Sequence, residues 1–392
     1  MRLSRDPQKR RRRNTLAAAA ALALLIGVVL GARAGGGDPE PGPEGRTPAP
    51  PNAPPAEMAE TPVDRLTLEQ QVGQLLVMRF VGAEVPSYVR DALASGHAAG
   101  VVLFGDNIVS AEQLGGLTDD LQRAGGGGAL VSTDQEGGAI RNVPFAGPSV
   151  GQAGQPTADE AATQAREAAA GLRGAGINVN LAPVADVAHD SSSVMAGRAF
   201  PGGADEVADL AAASTRAYGE ERVAATVKHF PGIGGAVENT DDAPVSIDRS
   251  REEIVAADLP PFRAAVAAGA PLVMASHARF PALDPDSIAS QSEPIIVDLL
   301  RGELGFEGVV ITDSLEAEGA TGGSTVEAGA ERSVAAGADI VLMTGQGSWA
   351  RVHQHLVRTA EGSPDLRARV RESAARVLVL KRDLGLDPPS TP

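Results

Sequence analysis

Five clusters of polar, ionisable residues stand where chemistry could be done. Asp134-Gln135-Glu136-Gly137-Gly138, Lys228-His229-Phe230-Pro231-Gly232, Ser276-His277 and Asp313-Ser314 each follow an apolar run, and Asp186 follows another that ends at Pro183. Carboxylates beside fixed cations and neutral donors suit holding a polyhydroxy substrate and attacking an acetal carbon. Glycoside hydrolysis requires such a set, a carboxylate nucleophile and a proton donor. The chain has no cysteine, which excludes thiol nucleophiles, thiolate metal sites, disulfides and lipid attachment through cysteine. No H-E-x-x-H or Asp/His repeat has metal-ligand spacing, so no metal or other cofactor is expected. No G-x-S-x-G elbow is present.

Each residue also has a purely structural explanation. Asp313 could cap a following helix, His277 could be a satisfied core histidine, Arg198 could serve an ordinary salt bridge, and Lys228-His229 could be a solvated turn. Lysine usage argues against the last. Of 34 Lys and Arg residues only Lys9, Lys228 and Lys381 are lysines, in a chain rich in Arg, Ala and Gly as a GC-rich genome would give. A lysine in mid-chain then stands where arginine would not serve.

Eight short apolar segments, at 73–80, 100–104, 129–133, 179–183, 223–227, 272–275, 308–312 and 338–343, read as parallel strands buried on both faces. Ala-rich stretches at 111–124, 159–175, 205–221, 250–268 and 327–336 read as the helices between them, and 374–381 as a closing helix. Eight β/α repeats predict a TIM (β/α)8 barrel in a single catalytic domain over 64–385, with an open doubly wound sheet as the alternative. The glycine string at 125–128 precedes a strand and is no dinucleotide loop. In a barrel, the clusters above fall where catalytic groups belong, at the C-terminal strand ends.

Ahead of this domain, a basic run at 9–13, an apolar run at 16–30 and Ala32-Arg33-Ala34 read as a secretory signal over 1–34, or as an uncleaved anchor. A Pro-rich linker follows at 35–63, and 386–392 is a tail. The expected location is therefore extracytoplasmic, secreted or tethered by the N-terminal segment. The formal net charge of −16 and an aromatic content of 3% argue against nucleic acid as a partner.

Asp134-Gln135-Glu136-Gly137-Gly138, Asn180-Leu181-Ala182-Pro183-Val184, Lys228-His229-Phe230-Pro231-Gly232 and Gly308-Val309-Val310-Ile311-Thr312-Asp313-Ser314-Leu315, in this order, resemble glycoside hydrolase family 3. The likeness is to its single-domain β-N-acetylglucosaminidases and covers about 66–380. The resemblance implies a TIM barrel and metal-free, retaining removal of terminal β-linked N-acetylglucosamine, often from peptidoglycan fragments. It implies Asp313 as nucleophile and Asp134, Arg198, Lys228 and His229 as the residues holding the sugar hydroxyls. The sequence departs from the pattern on the acid side. Family members carry a mobile loop with Asp-Ser-His, whose Asp–His dyad is the general acid/base, and here the stretch reads Asn239-Thr240-Asp241. The usual Pro-Gly-His-Gly is Pro231-Gly232-Ile233-Gly234, and the arginine expected after the first motif is Asn142, with Arg141 one place earlier. Glu238, Asp241 and Asp242 lie in the altered loop, and Asp241, at the histidine's position, is the first choice for a proton donor. A catalytically impaired sugar-binding protein and a family 3 β-glucosidase are the alternative functions.

Overall fold

The computed structural model describes residues 61–387, within the compact unit formed by 60–392. The expected signal segment, nearly all of the expected linker and most of the tail lie outside the described residues.

Eight parallel strands close into a barrel: β1 Leu76–Arg79, β2 Gly100–Leu103, β3 Leu130–Thr133, β4 Val179–Asn180, β5 Ala224–Phe230, β6 Leu272–Ala275, β7 Val309–Ser314 and β8 Ile340–Met343. Each strand pairs with its neighbours in sequence, and β1 pairs with β8 in register Leu76↔Val341 to complete the ring. The barrel is closed, so the open-sheet alternative is set aside. Alternation along each strand explains why both faces are apolar. Val77, Val102, Leu130, Val309 and Ile311 pack together in one cluster, which also takes in Val377 and Leu380 of the C-terminal helix. The intervening Met78, Val101 and Val131 pack in a second cluster with Leu114, Leu117 and Leu121 of a flanking helix. Below this layer Lys381 is buried, with its Nζ 2.8 Å from Gln74 Oε1, and burial depresses its pKa to about 7.

Several elements differ from expectation in ways that matter for the site. β5 and β7 run further than expected, so Lys228-His229 and Asp313-Ser314 lie within the ends of strands rather than at the start of loops. β4 is shorter than expected because Pro183 has no N–H for a regular ladder. Pairing continues irregularly there through Lys228 N–H to the Pro183 carbonyl, 3.1 Å. The helix expected over 250–268 is two helices, Arg251–Ala257 and Leu259–Ala267, broken where Pro260 and Pro261 start the second. Ala111–Ala124 agrees with expectation residue for residue, with the Ser110 hydroxyl capping its N-terminus through Gln113 N–H.

Candidate active site

The turn after β3 presents Asp134 and Glu136, and a buried amide fixes it. Asn180 of β4 accepts from Gln135 N–H at 3.0 Å and donates to the Gln135 carbonyl at 3.1 Å. Gly137 sits at φ +89°, where a Cβ would lie 2.8 Å from Pro148 Cγ, so the turn closes only with glycine. Into this frame come two cations from elsewhere in the chain. Arg198 grips Glu136 with two parallel hydrogen bonds, 2.9 and 2.7 Å. Lys228 Nζ lies 2.6 Å from Asp134 and 2.7 Å from Glu136.

Burial opposes ionisation of Glu136, but Lys228 and Arg198 outweigh it and hold the pKa at about 2, against an ordinary 4.5. Burial also works against charge on Lys228, yet the two carboxylates beside it raise its pKa. A carboxylate depressed on folding adds stability that is complete above its unfolded pKa and is lost as pH falls through the folded one. Glu136 therefore contributes about 3 kcal/mol above pH ~4.5, lost progressively toward pH ~2. Glu136→Gln is expected to lower stability at neutral pH by about 3 kcal/mol, since it also leaves Arg198 and Lys228 without their shared partner. Its stability should fall less steeply than that of the parent below pH ~4.5, as urea titrations across that range would record.

His229 is positioned through Asp186, which is fully buried. Its carboxylate accepts from His229 Nδ1 at 2.7 Å and from the Ile233 backbone N–H at 2.7 Å. The Nδ1 proton thus faces Asp186, and Nε2 is left for the cavity. Next along the barrel, His277 is buried with Nε2 2.8 Å from the Ser314 carbonyl and Nδ1 2.8 Å from Ser290 Oγ. A carbonyl only accepts, so Nε2 donates and Nδ1 accepts from the serine. Burial pushes the pKa of His277 down, which fits the neutral ring that this pairing needs.

Asp313 takes its place beside these groups, with Oδ1 accepting from Ser314 N–H at 2.8 Å. Burial alone would raise its pKa, but His229, His277, the Ser314 N–H and Lys228 together bring it below the ordinary carboxylate value. Asp313, Asp134, Arg198, Lys228, His229 and Asp241, all six expected site residues, line one cavity of about 560 Å³ at the C-terminal end of the barrel. That is ample for a single sugar ring. Among the described residues, no cluster of His, Asp and Glu is arranged to hold a metal ion.

The altered loop is docked. The Glu318 and Gly319 N–H groups donate to the Asp241 and Thr240 carbonyls at 3.2 and 3.0 Å, and Thr240 is buried. A Cβ on Gly319 would stand 2.7 Å from the Thr240 carbonyl, so the close approach needs glycine. Of the three loop carboxylates, Asp241 lines the cavity with Asp313, whereas Glu238 and Asp242 do not. Asp241 is exposed at the cavity mouth, yet the protein around its carboxyl raises its pKa and the negative charge of Asp313 raises it further. Asn239 Nδ2 holds one of its oxygens at 3.0 Å. On the opposite rim, Arg141 spends its guanidinium on the Pro144 and Ala146 carbonyls at 2.7 and 2.8 Å, and Asn142 binds the Asp134 carbonyl at 3.0 Å.

Four supporting residues had no role assigned from the sequence. Glu136 was visible only as part of its motif, while Asp186 and His277 were noticed only as strand-end groups. Glu316 was not noticed at all. Its carboxylate accepts from Thr344 N–H at 2.8 Å and from the Ser348 hydroxyl, tying the ends of β7 and β8 together below the cavity rim.

Comparison with known proteins agrees with this architecture. Residues 67–380 match the glycosyl hydrolase family 3 N-terminal domain. A protein of Arthroderma benhamiae named as an uncharacterized secreted glycosyl hydrolase is 36% identical over 307 residues, spanning 73% of this chain and 84% of that one. A β-hexosaminidase of Stenotrophomonas maltophilia is 33% identical over 284 residues, spanning 69% and 83%. Among solved structures, a family 3 β-N-acetylglucosaminidase from Paenibacillus sp. superposes over 83% of this chain with a TM-score of 0.78 and 33% identity. This chain covers just under two thirds of that one, 64%. A β-N-acetylhexosaminidase from Beutenbergia cavernae gives a TM-score of 0.74 at 33% identity, over 81% of this chain and 99% of that one.

Proposed function

The chain belongs to glycosyl hydrolase family 3 and is a glycosidase, and on that premise we propose that it is a retaining, exo-acting β-N-acetylhexosaminidase that removes terminal β-linked N-acetylglucosamine from peptidoglycan-type or chitooligosaccharide fragments. The observation that carries the reading is the pair of carboxylates facing one cavity with their pKa values pushed in opposite directions, Asp313 down and Asp241 up. Asp313 attacks the anomeric carbon as the ionised nucleophile. Asp241, protonated, gives its proton to the leaving oxygen, and the resulting carboxylate then takes a proton from the water that hydrolyses the glycosyl-enzyme. Asp134, Arg198, Lys228 and His229 hold the sugar hydroxyls. Lys228 suits this task because a compact ammonium tied to two carboxylates still has a third proton to donate.

The two alternatives are not favoured. A catalytically impaired sugar-binding protein has no need of a second carboxylate with a raised pKa, and a β-glucosidase does not share the names of the relatives above. The N-terminal basic and apolar segments, together with a relative named as secreted, support action outside the cytoplasm. Among the described residues no helix is long and apolar enough to cross a membrane, so nothing in them supports a tether.

An aryl N-acetyl-β-glucosaminide compared with the matching aryl β-glucoside tests the specificity. The acetamido sugar is expected to give a kcat/KM about tenfold or more above that of the glucoside. Equal turnover, or preference for the glucoside, overturns the assignment of substrate.

A further inference from the structure

On the other side of the Asp241 loop lies a second cavity, of about 350 Å³. Its walls come from the end of the loop (Pro244 to Ser246), from the short helix Glu318–Thr321 to which the loop is docked, from the segment after β6, and from the helix Val326–Ala335. The buried ring of His277 closes its back. Backbone bonds join these walls. Arg279 N–H donates to the Val245 carbonyl at 2.9 Å, and Ile247 N–H donates to the Arg279 carbonyl at 2.8 Å.

Two arginines, Arg279 and Arg332, line this cavity, and among the described residues neither makes an ion pair. Both are oriented by neutral partners. Arg279 Nη1 donates to the Asp286 carbonyl at 3.0 Å. Arg332 donates from Nε to Gln291 at 2.7 Å and from Nη1 to the Ser324 hydroxyl at 3.2 Å. Remaining N–H groups on each guanidinium are uncommitted, in a chain whose formal net charge is −16 and where carboxylates are plentiful. Preorganised guanidinium forks match a carboxylate geometrically. Asp286 is also among the lining residues, and a carboxylate beside the cavity disfavours a dianion such as phosphate while offering an acceptor to an ammonium group. The volume exceeds what a lone carboxylate fills, and the polar residues Ser246, Ser287 and Gln291 also line it.

We propose that this second cavity binds a short peptide through its free C-terminal carboxylate, held between Arg279 and Arg332. The proposal does not depend on the catalytic reading, because no group of the first cavity takes part in it. Bound there, the peptide would bridge the walls to which both ends of the Asp241 loop are fastened.

Calorimetric titration of the full chain with alanylalanine, alanylalanine amide and inorganic phosphate tests it. Saturable binding of the dipeptide is expected, with at least tenfold weaker binding of the amide and of phosphate. Arg332→Met and Arg279→Met should each weaken dipeptide binding at least tenfold while leaving the far-ultraviolet circular dichroism unchanged. Slower hydrogen exchange across 240–247 on dipeptide addition is the matching structural signature. Absence of saturable binding, equal binding of the amide, tighter binding of phosphate, or full binding by both variants would each overturn the proposal. Hydrolysis of the aryl N-acetyl-β-glucosaminide is measured on the same preparations. Binding without hydrolysis tells against the catalytic reading alone, and hydrolysis without binding tells against the peptide site alone.

Discussion

Asp313→Ala is expected to abolish turnover of an aryl N-acetyl-β-glucosaminide, lowering kcat by about 10^3-fold or more, while sugar binding persists. The reason is geometric. The groups proposed to hold the hydroxyls are anchored without Asp313: Lys228 to Asp134 and Glu136, Arg198 to Glu136, and His229 to Asp186. Removing the nucleophile therefore leaves the binding frame in place and takes away the atom that forms the new bond. The cavity left by the carboxylate admits a small anion. Added azide is expected to restore turnover of the activated substrate and to yield the α-glycosyl azide, because one displacement at the anomeric carbon inverts a β-glycoside. Product analysis by proton NMR reads this directly. Turnover within tenfold of the parent, or a β-azide, would remove Asp313 from the nucleophile's role.

The barrel was legible because its strands are apolar on both faces and end in polar residues. A run such as Val101 to Leu103 or Ile340 to Met343 is buried throughout, one face in the barrel and the other under a helix, and continuous hydrophobicity marks it plainly. Helices were legible where Ala-rich periodicity coincided with a cap, as at Ser110. Pro294–Glu303 was not, since its β-branched Ile295, Ile296 and Val297 follow a proline and give no helical signature by composition. Ser348–Gly362 was missed although Val352, Leu356 and Ala360 recur at four-residue spacing. The histidines and arginines between them dilute the pattern.

The site was legible to the extent that it sits on strand ends. What the sequence could not display is which groups meet, because those contacts are made by barrel closure. Arg198 reaches Glu136 across 62 residues and Lys228 reaches Asp134 across 94. No local pattern encodes either pair. The same holds within the altered loop. Glu238, Asp241 and Asp242 are chemically alike and almost adjacent, and only the docking of Thr240 and Asp241 against Glu318 and Gly319 decides which of them enters the cavity. The second cavity carries no motif at all, since Arg279 and Arg332 come from separate elements and are brought together by the fold.

Asp241→Asn separates the acid role from all others. With a sugar as leaving group, protonation of the departing oxygen is essential, and kcat/KM is expected to fall by about 10^2- to 10^4-fold. With 4-nitrophenolate, which leaves without a proton, the first step should be nearly untouched. The pH dependence follows from the two directions of shift. The reactive form has Asp313 ionised and Asp241 protonated, so activity rises with pH as Asp313 loses its proton and falls as Asp241 loses its own. Asp313 is held below the ordinary value of 3.8 and Asp241 above it, which opens a window between them. An amide at position 241 does not titrate there. The variant should therefore keep the acidic limb of its kcat/KM profile on the substrate with a sugar leaving group and lose the alkaline one. Equal loss on both substrates, or an alkaline limb unchanged from the parent, would assign the proton donor elsewhere. Asn239 is the group against Asp241 whose hydrogen bond favours the ionised form. Asn239→Ala should accordingly move the alkaline limb to higher pH without abolishing it, a shift that only a proton donor at Asp241 would produce.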